Sequence, residues 1–254
     1  MNLTKLDYHL HTSYSDGEMT FPRLLEALEG NVNVCGVTDH FELNHPSSIE
    51  FTKDYLEAFG AFKESARRLG ISAHLGVETG LGKSGILLPF MMGEIEYIIA
   101  SLHRVPLEGT NSEDYWQAYK GIIAENARRG GFQILGHVEG YLPLLPLLDH
   151  DPGFDKKREI ERQIIHKYFT SDWYSRLAKH LEANDIALEI HEPSKTPRLE
   201  VLDIMKRSGV AFSYGTDSHI PEQVSKRSYL KRVIQELDLK ESDFLDIETI
   251  NLKI

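Results

Sequence analysis

Histidines and carboxylates end one apolar run after another along this chain. The run from Leu6 finishes on His9-Leu10-His11, and that from Val34 on Asp39-His40. The next three finish on Glu78, His103 and His137, and the last two on His191 and on Asp217-Ser218-His219. His9 and His11 stand two residues apart, which on a strand turns both imidazoles to one face. Imidazoles and carboxylates gathered at one place have few uses other than holding divalent metal ions. Several such ions in one site lower the pKa of a bound water and clamp the oxygens of a phosphoryl group. No Ser-His-Asp or Cys-His arrangement is evident, so a covalent protein nucleophile is the less economical reading.

Residues so far apart in sequence meet only if the elements carrying them point the same way. Strands are predicted at about 4–9, 33–38, 72–77, 95–101, 132–136, 186–190 and 210–215. Helical patterns at 20–30, 51–69, 112–129, 171–184, 197–208 and 221–237 fall between and after them. Strand alternating with helix argues for a parallel sheet. Ligand-type residues at nearly every strand end favour closure into a barrel, which gathers all strand C-termini on one face. The expected fold is therefore an α/β, TIM-like (β/α)7 barrel of seven parallel strands in one domain over 1–254. The least regular stretch is a Pro-interrupted excursion at about 139–170, of a kind that often covers active sites.

Composition narrows the function. The 254 residues suit one barrel, and a formal net charge of −11 disfavours nonspecific binding to nucleic acid. A small anionic substrate remains compatible, because bound cations make a site locally positive. The one cysteine, Cys35, lies in an apolar run and reads as a small buried hydrophobe. No signal-peptide pattern opens the chain, and no run reaches the roughly 18–20 apolar residues of a membrane span. A cytoplasmic location is the expectation.

The segment His11-Thr12-Ser13-Tyr14-Ser15-Asp16-Gly17 resembles the first motif of the PHP (polymerase and histidinol phosphatase) family. Thr38-Asp39-His40, Gly76-Val77-Glu78, Ser101-Leu102-His103, Gly136-His137 and Gly215-Thr216-Asp217-Ser218-His219 resemble the following motifs, in order. Each is weak alone; six in sequence are specific. The resemblance implies a distorted seven-stranded barrel holding two or three divalent ions, with zinc, manganese and iron all suited to the ligands. It implies that His9, His11, Glu78 and Asp217 hold one ion. Glu78 would bridge to a second held with His103 and His137, and Asp16, His40 and His219 would hold the third. Glu78, Asp217 and His219 become the catalytic candidates, the last two as proton donors to the leaving oxygen. Asp39 is expected to orient a histidine.

A phosphate substrate would want cations nearby. Arg104 follows a candidate ligand, Lys195 and Arg198 follow the sixth strand, and Lys83 lies in a glycine-rich loop. His191 stands where many members of the family have asparagine, so it is a candidate substrate contact or a rim filler. His74 begins its strand away from the ligand ends and is expected to be structural. His166 and His180 read as helical surface or packing residues, His45 and His150 as loop residues, and Lys156-Lys157-Arg158 as a solvated helix start. The expected activity is a metal-dependent phosphoric monoester hydrolase on a small phosphorylated substrate. Histidinol phosphate phosphatase is the best-known activity among stand-alone members of the family. The alternatives are a nucleotide, sugar phosphate or nucleic-acid end as substrate, or a non-enzymatic regulatory barrel.

Overall fold

The computed structural model describes residues 3–43, 45–88, 93–107, 112–148 and 150–249. Among them, seven parallel strands form a nearly closed barrel. These are β1 (Leu6–Leu10), β2 (Val34–Val37), β3 (Ser72–Gly82), β5 (Tyr97–Ser101), β6 (Ile134–Leu135), β7 (Ala187–His191) and β8 (Phe212–Gly215), paired in that order. The two-residue β4 (Gly85–Ile86) folds back antiparallel on the end of β3. That pairing extends β3 five residues beyond its predicted end at 77.

The seam between β1 and β8 is closed by one bridge, Leu10 to Ser218, with His11 N–H donating to the Ser218 carbonyl at 3.0 Å. Lower in the seam the Asp7 carboxylate takes the place of a ladder. It accepts from the Thr216 amide at 3.0 Å and hydroxyl at 2.7 Å, and from Arg227 at 3.3 Å. Gly215 makes the approach feasible, since a Cβ there would stand 2.5 Å from that of His9. The seven-strand arrangement is thus distorted where the ladder gives way to side chains.

Helices α1 (Phe21–Leu28), α2 (Lys53–Arg68) and α3 (Ser112–Arg129) wrap the first half. Thr52 caps α2 by accepting the Tyr55 amide, and Pro22 opens α1. In the excursion, α4 (Phe154–Tyr168) precedes α5 (Ser171–Ala183) and α6 (Leu199–Arg207). The predicted helix 221–237 is two, α7 (Pro221–Val224) and α8 (Ser228–Leu237). The break has a tertiary cause. Glu192, at the end of β7, accepts from the amides of Tyr229 and Leu230 and from the Ser228 hydroxyl, capping a new helix start. One cluster of buried apolar residues runs through barrel and helices alike. Among the described residues no helix is long and apolar enough to cross a membrane.

Candidate metal centre

The C-terminal ends of the strands deliver the site. His9 and His11 come from β1 and its exit, Glu78 from the middle of β3, and Asp217 and His219 from just beyond β8. His40 lies beyond β2, where a short extension of the ladder pairs it with Glu78. His103 and His137 follow β5 and β6.

Glu78 sits at the centre, 2 % exposed. Its Oε2 lies 3.3 Å from His9 Nε2, 3.5 Å from His11 Nε2 and 3.3 Å from His40 Nδ1. Its Oε1 faces the other way, 3.2 Å from His103 Nε2 and 2.9 Å from His137 Nε2. Asp217 Oδ1 is 3.6 Å from His9 and 3.2 Å from His11. Asp16 lies 3.4 Å from His40, 3.3 Å from His219 and 3.6 Å from His11. All nine residues expected as ligands from the sequence therefore converge, with His11 facing two groups at once.

The donor set fits metal ions on two counts. Most of these separations exceed a charge-assisted hydrogen bond of about 2.7–2.9 Å. They match instead the edge of a tetrahedron of ligands about 2.0–2.1 Å from a central ion, roughly 3.4 Å. Moreover, His9 Nε2, both nitrogens of His11 and His40 Nδ1 are buried with no hydrogen-bond partner. Leaving such atoms unsatisfied is costly.

Behind these histidines stand acids that sequence reasoning missed. Glu189 is fully buried and accepts from His9 Nδ1 and from the His137 amide, each at 2.7 Å. It fixes the His9 tautomer so that Nε2 faces Glu78 and Asp217. Glu42 does the same for His103 Nδ1 at 3.2 Å. Glycines make room for both: a Cβ on Gly215 would meet Glu189, and one on Gly80 would meet Glu42, each at 2.2 Å. The period of two offered a signal for Glu189, which shares its strand face with His191. Asp39 orients a loop rather than a histidine. It accepts from the Thr12 amide and hydroxyl, from Ser15 at 2.6 Å and from Tyr55, folding the turn that carries Asp16.

Charge is balanced inside the cluster. Burial pushes the Glu78 carboxyl upward, yet His9, His103 and His40 outweigh it and hold the group well below its ordinary range. Asp217 is held down in the same way, by His9 and His11 above all. Burial disfavours a charged His103, but Glu78 and Glu42 raise it to about 10.

The remaining candidates divide by their surroundings. His191 is buried, with Nε2 at 3.2 Å from Asp217 Oδ2 and Nδ1 at 2.6 Å from Ser194. Arg104 lines a cleft of about 420 Å³ together with His103, Tyr141, Leu142, Phe154 and Glu161. Lys195 and Arg198 line a neighbouring one of about 570 Å³. Arg198 already binds the buried Glu139 at 3.0 Å and the Phe169 carbonyl at 3.2 Å. Arg158 differs from the solvated reading of its run. Its side chain is 13 % exposed, and its guanidinium pairs with Glu161 and lies over Tyr141 and Phe154. His45, read as a loop residue, stacks on His40 with centroids 4.1 Å apart.

Comparison with known proteins agrees with this geometry. The PHP domain model matches residues 7–193. A histidinol-phosphatase of Lactococcus lactis is 23 % identical over 98 % of this chain and 95 % of its own length. A probable histidinol-phosphatase of Clostridium acetobutylicum is 23 % identical over 86 % of this chain and 88 % of its own. The crystal structure of the L. lactis histidinol phosphate phosphatase, complexed with zinc, L-histidinol and phosphate, superposes with a TM-score of 0.68 at 18 % identity. The match covers 96 % of this chain and 99 % of that one.

Proposed function

The chain belongs to the PHP domain family of metal-dependent phosphoesterases, and from that premise we propose that it hydrolyses small phosphate monoesters, histidinol phosphate first among them. The observation that carries the reading is Glu78, whose two oxygens face two separate histidine groups. In this reading His9, His11, Glu78 and Asp217 hold one ion, Glu78, His103 and His137 a second, and Asp16, His40 and His219 a third. The zinc of the lactococcal structure favours zinc, with manganese and iron suited to the same ligands. Ions held there would supply an activated water and positive charge for the phosphoryl oxygens.

The protein's own groups prepare that chemistry. Ser101 donates to Glu78 Oε1 at 2.7 Å, steadying the central carboxylate. His191 holds Asp217 through Oδ2 and leaves Oδ1 to the histidines, so its role is orientation of Asp217 rather than contact with substrate. Of the two proton-donor candidates, Asp217 is held as an anion and has no proton to give, so His219, 31 % exposed at the mouth, is the one that protonates the leaving oxygen. Arg104 and Lys195 are the cations for the phosphoryl group. Arg198, committed to Glu139, anchors the loop that carries Lys195.

The test is a hydrolysis screen of phosphomonoesters on protein reconstituted with zinc or manganese. Histidinol phosphate is expected to have the highest kcat/KM, above nucleotide and sugar phosphates. A different preferred monoester would overturn the substrate, and no turnover of any would overturn the activity.

A further inference from the structure

We infer that Tyr141 is a catalytic residue whose hydroxyl donates a hydrogen bond to a phosphoryl oxygen of the substrate, an inference that rests on the phosphomonoesterase reading above. Tyr141 follows His137 by one tight turn, closed by the Gly140 amide on the His137 carbonyl at 2.7 Å. Its φ of +49° is uncommon for a bulky side chain, and such conformations concentrate at functional sites. The ring meets those of His191 at 5.0 Å and His137 at 6.0 Å, both edge-on. Of the charged groups, Asp217 acts on the phenol most strongly. The ring therefore borders the metal centre on one side and the 420 Å³ cleft on the other.

The excursion holds it there. The Arg158 guanidinium lies 4.5 Å from the Tyr141 ring centroid and pairs with Glu161. Glu161 in turn accepts the amide of Leu142 at 2.8 Å. Helix α4 thus grips both the ring and the backbone beside it.

Most tyrosine hydroxyls of the molecule are committed, and that of Tyr141 is not. Tyr55, Tyr97, Tyr115, Tyr119, Tyr174 and Tyr229 each donate to a protein oxygen. The Tyr141 hydroxyl has no such partner among the described residues, and the residue is 36 % exposed. A free phenol titrates at about 10, and burial pushes this one higher, so the hydroxyl is a donor at neutral pH. A fixed donor beside the cluster suits an oxygen that gains charge as phosphorus is attacked. The alcohol part of the ester would extend into the cleft along Leu142 and Phe154.

Tyr141→Phe removes the donor and keeps the ring. On metal-loaded protein, kcat/KM for the best monoester should fall roughly 10–100-fold, mostly in kcat, as expected for losing a hydrogen bond to a charged group. Metal content by elemental analysis and the melting temperature should stay at wild-type values. Tungstate, as a mimic of the phosphoryl group, should bind more weakly by a similar factor. Kinetics within twofold of wild type overturn the inference. A loss of bound metal in Tyr141→Phe overturns it too, by giving the hydroxyl a structural role. If the wild type turns over no monoester, the activity reading fails by itself. The hydroxyl is then judged on tungstate alone, and equal affinities for wild type and variant overturn the contact.

Discussion

The two ends of the barrel hold the same kinds of side chain in opposite condition. At the base, His74 and Glu96 form a satisfied network. His74 Nδ1 lies 2.8 Å from Glu96 and Nε2 3.1 Å from Ser72. Glu96 also accepts from Lys63 at 2.8 Å and from the Leu75 amide at 3.1 Å. At the rim, His9, His11 and His40 face Glu78 at 3.3–3.5 Å with nitrogens that have no hydrogen-bond partner. Histidine beside carboxylate is thus a structural pair where every atom is satisfied. It is a candidate ligand cluster where the atoms converge on a shared point and stop short of one another.

The sharpest way to break this contrast is Glu78→Gln. The substitution keeps the shape and removes the anionic oxygen between two histidine groups. Activity should fall about a thousandfold or more, the equivalent of roughly 4 kcal/mol of charge stabilisation. Elemental analysis should show fewer ions while circular dichroism stays unchanged. Near-normal turnover at saturating metal would remove Glu78 from the centre of the mechanism.

Chelation tests the same contrast without a mutation. An ion present at about 100 times its dissociation constant stabilises the fold by roughly 2.7 kcal/mol. At about 2–4 °C per kcal/mol for a chain of this size, chelation should lower the melting temperature by at least about 5 °C. Added zinc should restore it. His74→Ala should lower the melting temperature as well but leave zinc stoichiometry untouched. A His74→Ala protein that lost metal would erase the distinction between rim and base.

Glu189→Gln is a milder test. An amide accepts from His9 Nδ1 only by turning its NH2 toward the His137 amide, which needs an acceptor. Metal affinity should fall about 10–100-fold. Unchanged affinity would show that His9 needs no fixed tautomer.

The contrast also explains what was legible in the sequence. Strand ends are local features, so His9, His11, Glu78, His103, His137 and Asp217 stood out as the last residues of apolar runs. The barrel followed from the need to bring them together. Groups defined by distant partners did not show. Glu189 is invisible as a tautomer lock until β1 lies beside β8 and closes the ring. Glu192 ends β7 in sequence but caps α8 in space, so the break at 225–227 had no local sign. Arg158 shares a basic run with Lys156 and Lys157. Only its place on α4, in line with buried Glu161 and Ile165, turns it inward.

The smallest expected effect belongs to the base and depends on pH. Burial disfavours the Glu96 carboxylate, but hydrogen bonds from His74, Lys63 and the Leu75 amide outweigh that and hold its pKa at about 2. An unfolded glutamate titrates near 4.3. A group depressed on folding stabilises the native state at pH above its unfolded pKa. That contribution is lost as pH falls through the folded value. Wild type should therefore be more stable than Glu96→Gln at pH 6, and the difference should shrink between about pH 4.5 and 2. The side chain is 32 % exposed, so solvent screening limits the effect to about 1 kcal/mol. Denaturant unfolding of both proteins, stripped of metal so that the rim contributes equally, would measure it. A difference that stays constant across that range would mean that Glu96 is not held as an anion by its three donors. The base would then no longer be the satisfied counterpart of the rim.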